Sequence, residues 1–154
     1  MKPLACITAL FLATNPVVAV ADDFTIEDEE LTALPKSIED AIRNRQRFEY
    51  PTCKLIGKPI DLSGHGANSG FAATTADACD WGAAQGPIWV VLNGTKPTTV
   101  LEYGGYSVTL GKQLRNGLRN VAISAATAGR SSESLWKFDG VRYAKIKESV
   151  RLNR

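Results

Sequence analysis

Short β-prone runs fill the second half of the chain; the first is wholly apolar, and most of the others alternate apolar and polar residues. The runs cover residues 88–92, 98–103, 106–110, 119–126, 133–138 and 141–147. A period of two over such lengths is typical of strands with one buried face. The pattern predicts a mainly β fold, built as an antiparallel meander sheet of five to six strands. Asp139-Gly140, between two of these runs, predicts a two-residue hairpin turn.

The first half of the chain predicts one short helix. Ser37 can cap a helix over 37–48, Asp40 stands at the capping-box spacing, and Ile38 and Ile42 fall on one face. Pro51 ends it, because the residue before proline is pushed out of helical geometry. The glycine-rich stretch from 51 to 86 predicts loops around a single strand at 71–75.

Residues 1–21 have the pattern of a secretory signal peptide. Lys2 gives a positive start, residues 4–13 form a short apolar run, and Ala19-Val20-Ala21 offers the small-x-small cleavage site. The run is too short for a membrane-spanning helix, so a membrane anchor is not expected. The sequence therefore predicts export to the periplasm, cleavage after Ala21 and a single domain over residues 22–154.

Charge is nearly balanced but unevenly distributed. Without Lys2, 17 basic residues face 16 acidic ones, which gives no reason to expect nucleic acid as a partner. Residues 22–30 carry six acids and no basic residue, whereas residues 111–154 carry ten Lys or Arg against three acids. Two interpretations remain open: a solvated acidic segment beside an ordinary basic face, or docking of the two segments or of a charged partner.

Cys53 and Cys79 remain after the leader, and export favours a disulfide between them. In the chain-entropy account, closing a loop of this length contributes about 3–4 kcal/mol. A catalytic thiol would need a base beside it, and the single histidine, His65, stands in a glycine-rich turn. One histidine and two cysteines also make a poor zinc site, so no metal and no cofactor are predicted.

The segment from Asp61 to Gly66 has the outline of a calcium loop, Asp-x-Asn-x-Asp-Gly. Ser63 and His65 replace the amide and the second carboxylate of that outline. Asp61 is then the only formal charge, while a hard cation needs several oxygen ligands. The segment favours a structural turn without metal.

Several motifs follow one another in a recognisable order. They are the turn at 61–66, Cys79-Asp80-Trp81-Gly82, Pro87-Ile88-Trp89, Gly104-Gly105-Tyr106, 115–119 and 136–143, which includes Phe138-Asp139-Gly140. Over residues 57–146 this order resembles a family of small exported bacterial proteins that are similar to a single propeller blade. Within it, the chain resembles periplasmic immunity proteins that neutralise type VI secreted peptidoglycan amidases.

The resemblance implies a partner and a mode of binding. The partner would be the producer's own cell-wall amidase with a Cys-His active site, and this chain would be an inhibitor and not an enzyme. In such complexes a loop with a small hydroxyl side chain enters the amidase cleft. Small side chains lose little rotamer entropy when a loop of this kind is ordered.

The segment 124–132 is the predicted binding loop, because it is built of small residues and joins two predicted strands. Ser124 is the first choice for the hydroxyl that meets the catalytic histidine, with Ser107 and Thr109 on the neighbouring strand as second choices. The other predicted contacts are Ala125, Thr127, Arg130 and Ser131. Arg119 and Arg130 either anchor the rim or are ordinary solvated charges, and the segment can equally be a plain surface loop.

Other function classes make different predictions. A wall hydrolase would need carboxylates such as Asp77, Asp80 and Glu102 to converge. A peptidoglycan or carbohydrate-binding module would expose Trp81 or Trp89, although aromatic residues at strand spacing favour the core. A lysozyme inhibitor would differ from an amidase inhibitor only in its target. The oligomeric state is left open.

Overall fold

A computed structural model describes residues 22–45, 49–82 and 85–152. The predicted signal peptide, residues 1–21, lies outside the described residues. Within these ranges the protein is mainly β, with one α-helix and a disulfide between Cys53 and Cys79. The predicted fold class and the predicted disulfide are both confirmed.

In the described parts of the chain, ten strands form two antiparallel sheets. The first sheet has the order β1-β7-β8-β9-β10 and the second has the order β2-β3-β4-β5-β6. The strands are β1 (Asp23–Thr25), β2 (Thr32–Ala33), β3 (Leu55–Ile60), β4 (Gly70–Thr75), β5 (Gly86–Leu92), β6 (Thr98–Gly105), β7 (Ser107–Arg115), β8 (Leu118–Thr127), β9 (Arg130–Phe138) and β10 (Tyr143–Leu152).

The strands predicted to form one meander sheet belong to two sheets: β5 and β6 are in the second, and β7 to β10 are in the first. Strand β5 is apolar on both faces: Ile88 and Val90 join the core between the sheets, while Trp89 and Val91 lie in a second core under the helix. A strand without a polar face must be covered on both sides to bury its apolar surface. The second sheet is therefore the middle layer, between the helix and the first sheet.

The helix α1 (Lys36–Arg43) is shorter than predicted and begins differently. Pro35 is its N-cap, and no side chain caps it, so the predicted role of Ser37 is wrong. The helix already begins at Lys36, so Ser37 lies inside its first turn, and the carbonyl of Pro35 accepts the N–H groups of Ile38 and Glu39. Asn44 follows the last turn, four residues before the predicted end.

Two further predictions are corrected by the strands and turns. Residues 139–142 form a four-residue connection between Phe138 and Tyr143 instead of a two-residue turn. The carboxylate of Asp139 accepts the N–H groups of Val141 and Arg142, which stabilises this longer loop. Strand β3 also lies in the stretch where only loops around one strand were expected.

The acidic N-terminal segment is docked and not free in solvent. Strand β1 pairs with β7, and Phe24 is buried in the core between the sheets. Asp22 forms an ion pair with Arg119, and Asp28 forms one with Lys58. Docking between the two segments is therefore found at β1 and at Asp22, while Asp23, Glu27, Glu29 and Glu30 are exposed, as in the first interpretation.

Candidate functional site

The predicted binding loop is a β-hairpin. Strand β8 continues to Thr127 and β9 begins at Arg130, so only two residues form the turn. The prediction of a loop over 124–132 is therefore wrong. Alanine, serine and glycine have low strand propensity, but pairing of β8 with strands on both sides overrides that preference. Gly129, with φ of 77°, adopts the left-handed conformation that the turn requires.

The register divides the predicted contact residues between the two faces of the first sheet. Val121, Ile123 and Ala125 are buried, so odd positions of β8 point inward and even positions point outward. Four of the predicted residues are on the outer face: Ser107, Thr109, Ser124 and Ser131. Three are on the inner face: Ala125, Thr127 and Arg130.

An open cavity of about 260 Å³ lies at this end of the first sheet; most of its lining residues are on the outer face, but Ala125 and its partner Ser132 also line it. Its lining residues are Tyr106, Ser124, Ala125, Ala126, Ser131, Ser132, Glu133, Ser149 and Arg151. The predicted Ser124 and Ser131 meet here. The hairpin therefore presents a concave hydroxyl-rich surface.

Ser107 and Ser124 form the closest polar contact of this face. They stand opposite each other on β7 and β8, and their hydroxyl oxygens are 2.5 Å apart. Either oxygen can be the donor. The N–H of Tyr106 donates to the carbonyl of Ser124 at 2.7 Å, which ties the start of β7 to the same position. Neither Ser107 nor Thr109, two residues further along β7, is among the residues that line the cavity.

Glu133 and Arg151 bring charge to the cavity, and neither was predicted as a site residue. Glu133 is directly opposite Ser124, and Arg151 is opposite Ser131. Among the described residues, neither side chain takes part in a salt bridge. The alternating pattern of β9 would place Glu133 outward, but only the register reveals that it faces Ser124.

The end of the hairpin is exposed on both faces. Ala126 and Thr127 point to opposite sides of the sheet, and both are exposed, as are Ala128, Gly129 and Arg130. The second sheet therefore does not cover this end. A thin two-stranded tip with small side chains has the shape needed to enter a narrow cleft.

Arg119 is buried inside the fold, so it cannot anchor the rim of the predicted binding loop. Its guanidinium is largely buried and donates to the carbonyls of Gly111 at 2.7 Å and Leu110 at 3.0 Å. The same group forms the ion pair with Asp22. The backbone carbonyl of Arg119 also accepts the hydroxyl of the buried Tyr143 at 2.7 Å. This arginine joins the N-terminal segment to the first sheet.

The turn at 61–66 is held by the buried carboxylate of Asp61. It accepts N–H groups from Ser63, Gly64 and Gly66 at 2.7–3.1 Å, and the hydroxyl of Ser63 at 2.8 Å. Burial raises the pKa of Asp61, but the donors from Gly66, Ser63 and Gly64 outweigh it and lower the pKa to about 2. These donors use the oxygens that a cation would need, which agrees with a structural turn.

The tryptophans are arranged as core residues. Trp89 is fully buried, and Trp136 is buried against Tyr103 with ring centroids 4.9 Å apart. Trp81 is partly buried, and its indole N–H donates to Thr75 at 2.9 Å. Phe138 and Tyr143 are also buried, so the prediction of aromatic core residues is confirmed.

Two of the three carboxylates considered for a hydrolase do come together. Asp80 and Glu102 line one open cavity of about 280 Å³ beside Tyr50, and Asp77 is not among the lining residues. Glu102 is paired with Arg45 at 2.5 Å. Asp80 lies beside the disulfide, with its carboxylate 3.6 Å from the sulfur of Cys53. The disulfide takes both cysteines out of thiol chemistry.

Comparisons with protein-family models, with curated proteins and with solved structures found no match. Among the described residues, no helix is long and apolar enough to cross a membrane. Any assignment of function therefore depends on the residues of this chain.

Proposed function

We propose that this protein is an exported immunity protein that binds and inhibits a type VI secreted peptidoglycan amidase. The observation that carries the proposal is the hydroxyl-lined cavity around Ser124 on the hairpin of β8 and β9. The signal-peptide pattern and the resemblance to periplasmic immunity proteins support it. In the producer's periplasm, such a protein would block amidase delivered by neighbouring kin.

The hairpin supplies the rigidity that an inhibitor needs. Ladder pairing with β7 and β9 fixes Ser124 before any partner arrives, so little conformational entropy is lost on binding. The exposed tip at 126–130 would enter the cleft, and the outer face would lie against its wall. Ser107, Ser124 and Ser131 would provide hydrogen bonds there, while Arg130 and Thr127 would contact the opposite wall.

The cavity alone is too small for a tight complex. A stable interface buries about 800 Å² on each partner, with a few central residues dominating the binding energy. The remainder of the interface would come from the outer face of β7 to β10. The proposal thus predicts that substitutions at the centre, near Ser124, weaken binding far more than substitutions at the edge.

The direct test is inhibition of the producer's type VI amidase during digestion of purified peptidoglycan. Residues 22–154 are compared with Ser124→Trp, which fills the cavity, and with Thr32→Trp, a matched substitution at an exposed position of the second sheet. We expect inhibition by the wild type and by Thr32→Trp, and loss of inhibition in a folded Ser124→Trp protein.

The same samples separate the alternatives. Inhibition of a lysozyme without inhibition of the amidase would identify a lysozyme inhibitor. Sedimentation with insoluble peptidoglycan in the absence of enzyme would favour a wall-binding module, a hypothesis that the burial of Trp89 weakens. Equal inhibition by Ser124→Trp and Thr32→Trp would refute binding through the hairpin.

A further inference from the structure

A row of hydrogen-bonding side chains crosses all five strands of the first sheet through Ser124. Cross-strand pairing aligns Thr25 with Ser107, Ser107 with Ser124, Ser124 with Glu133, and Glu133 with Ser149. All five residues are on the outer face. Directly opposite side chains on neighbouring strands have Cβ atoms about 5 Å apart, which is within reach of one another, and Ser107 and Ser124 are hydrogen-bonded in this way.

The hydrogen bond with Ser107 limits the side-chain rotamers and the hydrogen-bonding groups that Ser124 can offer to a partner. Each hydroxyl has one proton to donate and two lone pairs. At 2.5 Å between the oxygens, one of the two protons is used in the mutual hydrogen bond. Whichever hydroxyl donates, that bond restrains the rotamers of both serines, which would otherwise rotate freely on an accessible surface. The pair therefore presents one organised set of donors and lone pairs instead of two independent hydroxyls.

Glu133 sets the charge on the other side of Ser124. Its carboxylate lines the cavity and has no salt bridge among the described residues. Arg151 also lines the cavity, but it is on β10, two strands from Ser124, and pairs with Ser131 in the next row. The charged residue directly opposite Ser124 in the sheet is therefore an acid.

We infer that Ser107, Ser124 and Glu133 act together to bind a cationic hydrogen-bond donor of the partner, such as an imidazolium or guanidinium group. Ser107 is the positioning residue, Ser124 makes the contact, and Glu133 selects for positive charge. The inference rests on the proposed function, because it concerns the same inhibitory surface.

A double-mutant cycle tests the positioning role. Inhibition constants are measured against the producer's amidase for Ser107→Val, Ser124→Ala and the double variant. We expect each single substitution to weaken inhibition about tenfold, and the double variant to be weakened about tenfold and not about a hundredfold, because both changes remove the same unit. Threonine has nearly the same shape as valine but keeps a hydroxyl, so the Ser107→Thr protein is expected to retain inhibition.

The charge selection is tested with Glu133→Gln, and Glu29→Gln, at an exposed position outside the sheet, is the matched control. We expect Glu133→Gln to weaken inhibition about tenfold at low salt, with the difference shrinking as salt rises, since screening removes the contribution of an exposed charge pair. Glu29→Gln is expected to behave as the wild type. Circular dichroism and thermal melts confirm that every variant is folded.

The outcomes separate this inference from the proposed function. If the wild type does not inhibit the amidase, the proposed function fails and the inference fails with it. If the wild type inhibits but Ser107→Val and Ser107→Thr are equivalent, the positioning role alone is refuted. Tighter inhibition by Glu133→Gln would mean that the partner presents an anion, which would refute the charge selection.

Discussion

Replacing Arg119 with methionine tests how the N-terminal segment is attached to the fold. Methionine keeps most of the side-chain volume but removes the guanidinium. The buried carbonyls of Gly111 and Leu110 then lose a charged donor, and Asp22 loses its ion pair. Hydrogen bonds from charged groups contribute about 1.5–3 kcal/mol each, while the pair with the exposed Asp22 adds little.

We therefore expect Arg119→Met to lower the free energy of unfolding by about 3–5 kcal/mol. For a domain of this size, that corresponds to a melting temperature lower by about 10–20 °C. Urea titration and thermal melting, followed by circular dichroism, measure both quantities on residues 22–154. The control is Arg115→Met, at an exposed position near the end of β7, which is expected to change stability by less than about 0.5 kcal/mol. Equal stability of the two variants would refute the proposed role of the buried arginine.

Three further predictions concern stability. The folded pKa of Asp61, about 2, is below its usual value of 3.8, so the ionised carboxylate adds about 2 kcal/mol to the free energy of unfolding above pH 4. This contribution is lost as pH falls towards 2. Urea titrations across that range should show that Asp61→Asn lacks it. Replacing Cys53 and Cys79 together with serine should cost about 2–4 kcal/mol, measured by thermal melting without reductant. Tyr143→Phe should cost about 1–2 kcal/mol in urea titrations, because it removes the hydroxyl donor to the carbonyl of Arg119.

Each of these predictions has a contrary result. Parallel pH profiles for the wild type and Asp61→Asn between pH 4 and 2 would show that the carboxylate is not held by its donors. If removal of the disulfide left the melting temperature unchanged, the disulfide would not reduce the conformational entropy of the unfolded chain. Stability of Tyr143→Phe equal to that of the wild type would mean that its hydroxyl contributes nothing.

Strand positions in the second half of the chain were predictable because their residues form either a compact apolar run or an alternating pattern. Ile88 to Leu92 and Thr98 to Tyr103 lie within β5 and β6. Strand β3 was missed because Gly57 and Pro59 are usually signs of a loop. The space beside Gly57 explains the glycine, since an added Cβ would lie 2.3 Å from the carbonyl oxygen of Ala72.

The arrangement of the site was less predictable than its position. The small-residue segment was identified at Ser124, but its hairpin form depends on pairing with β7, which is distant in sequence. Register also decides that Ser124 faces outward and Thr127 inward. Glu133 was missed because nothing local links it to Ser124. Strand β1 could have been found from Phe24 and Ile26, whose spacing of two is an alternating apolar signal.

The placement of the serine pair has an evolutionary consequence. Ser107 and Ser124 are on the face of the first sheet that is turned away from the core between the sheets, whose packing belongs to residues such as Val108 and Ile123. A change in the outward residues leaves the inward ones untouched. Selection can therefore change the outward side chains while the inherited scaffold keeps its stability, and under the proposed function such changes would alter which partner is bound.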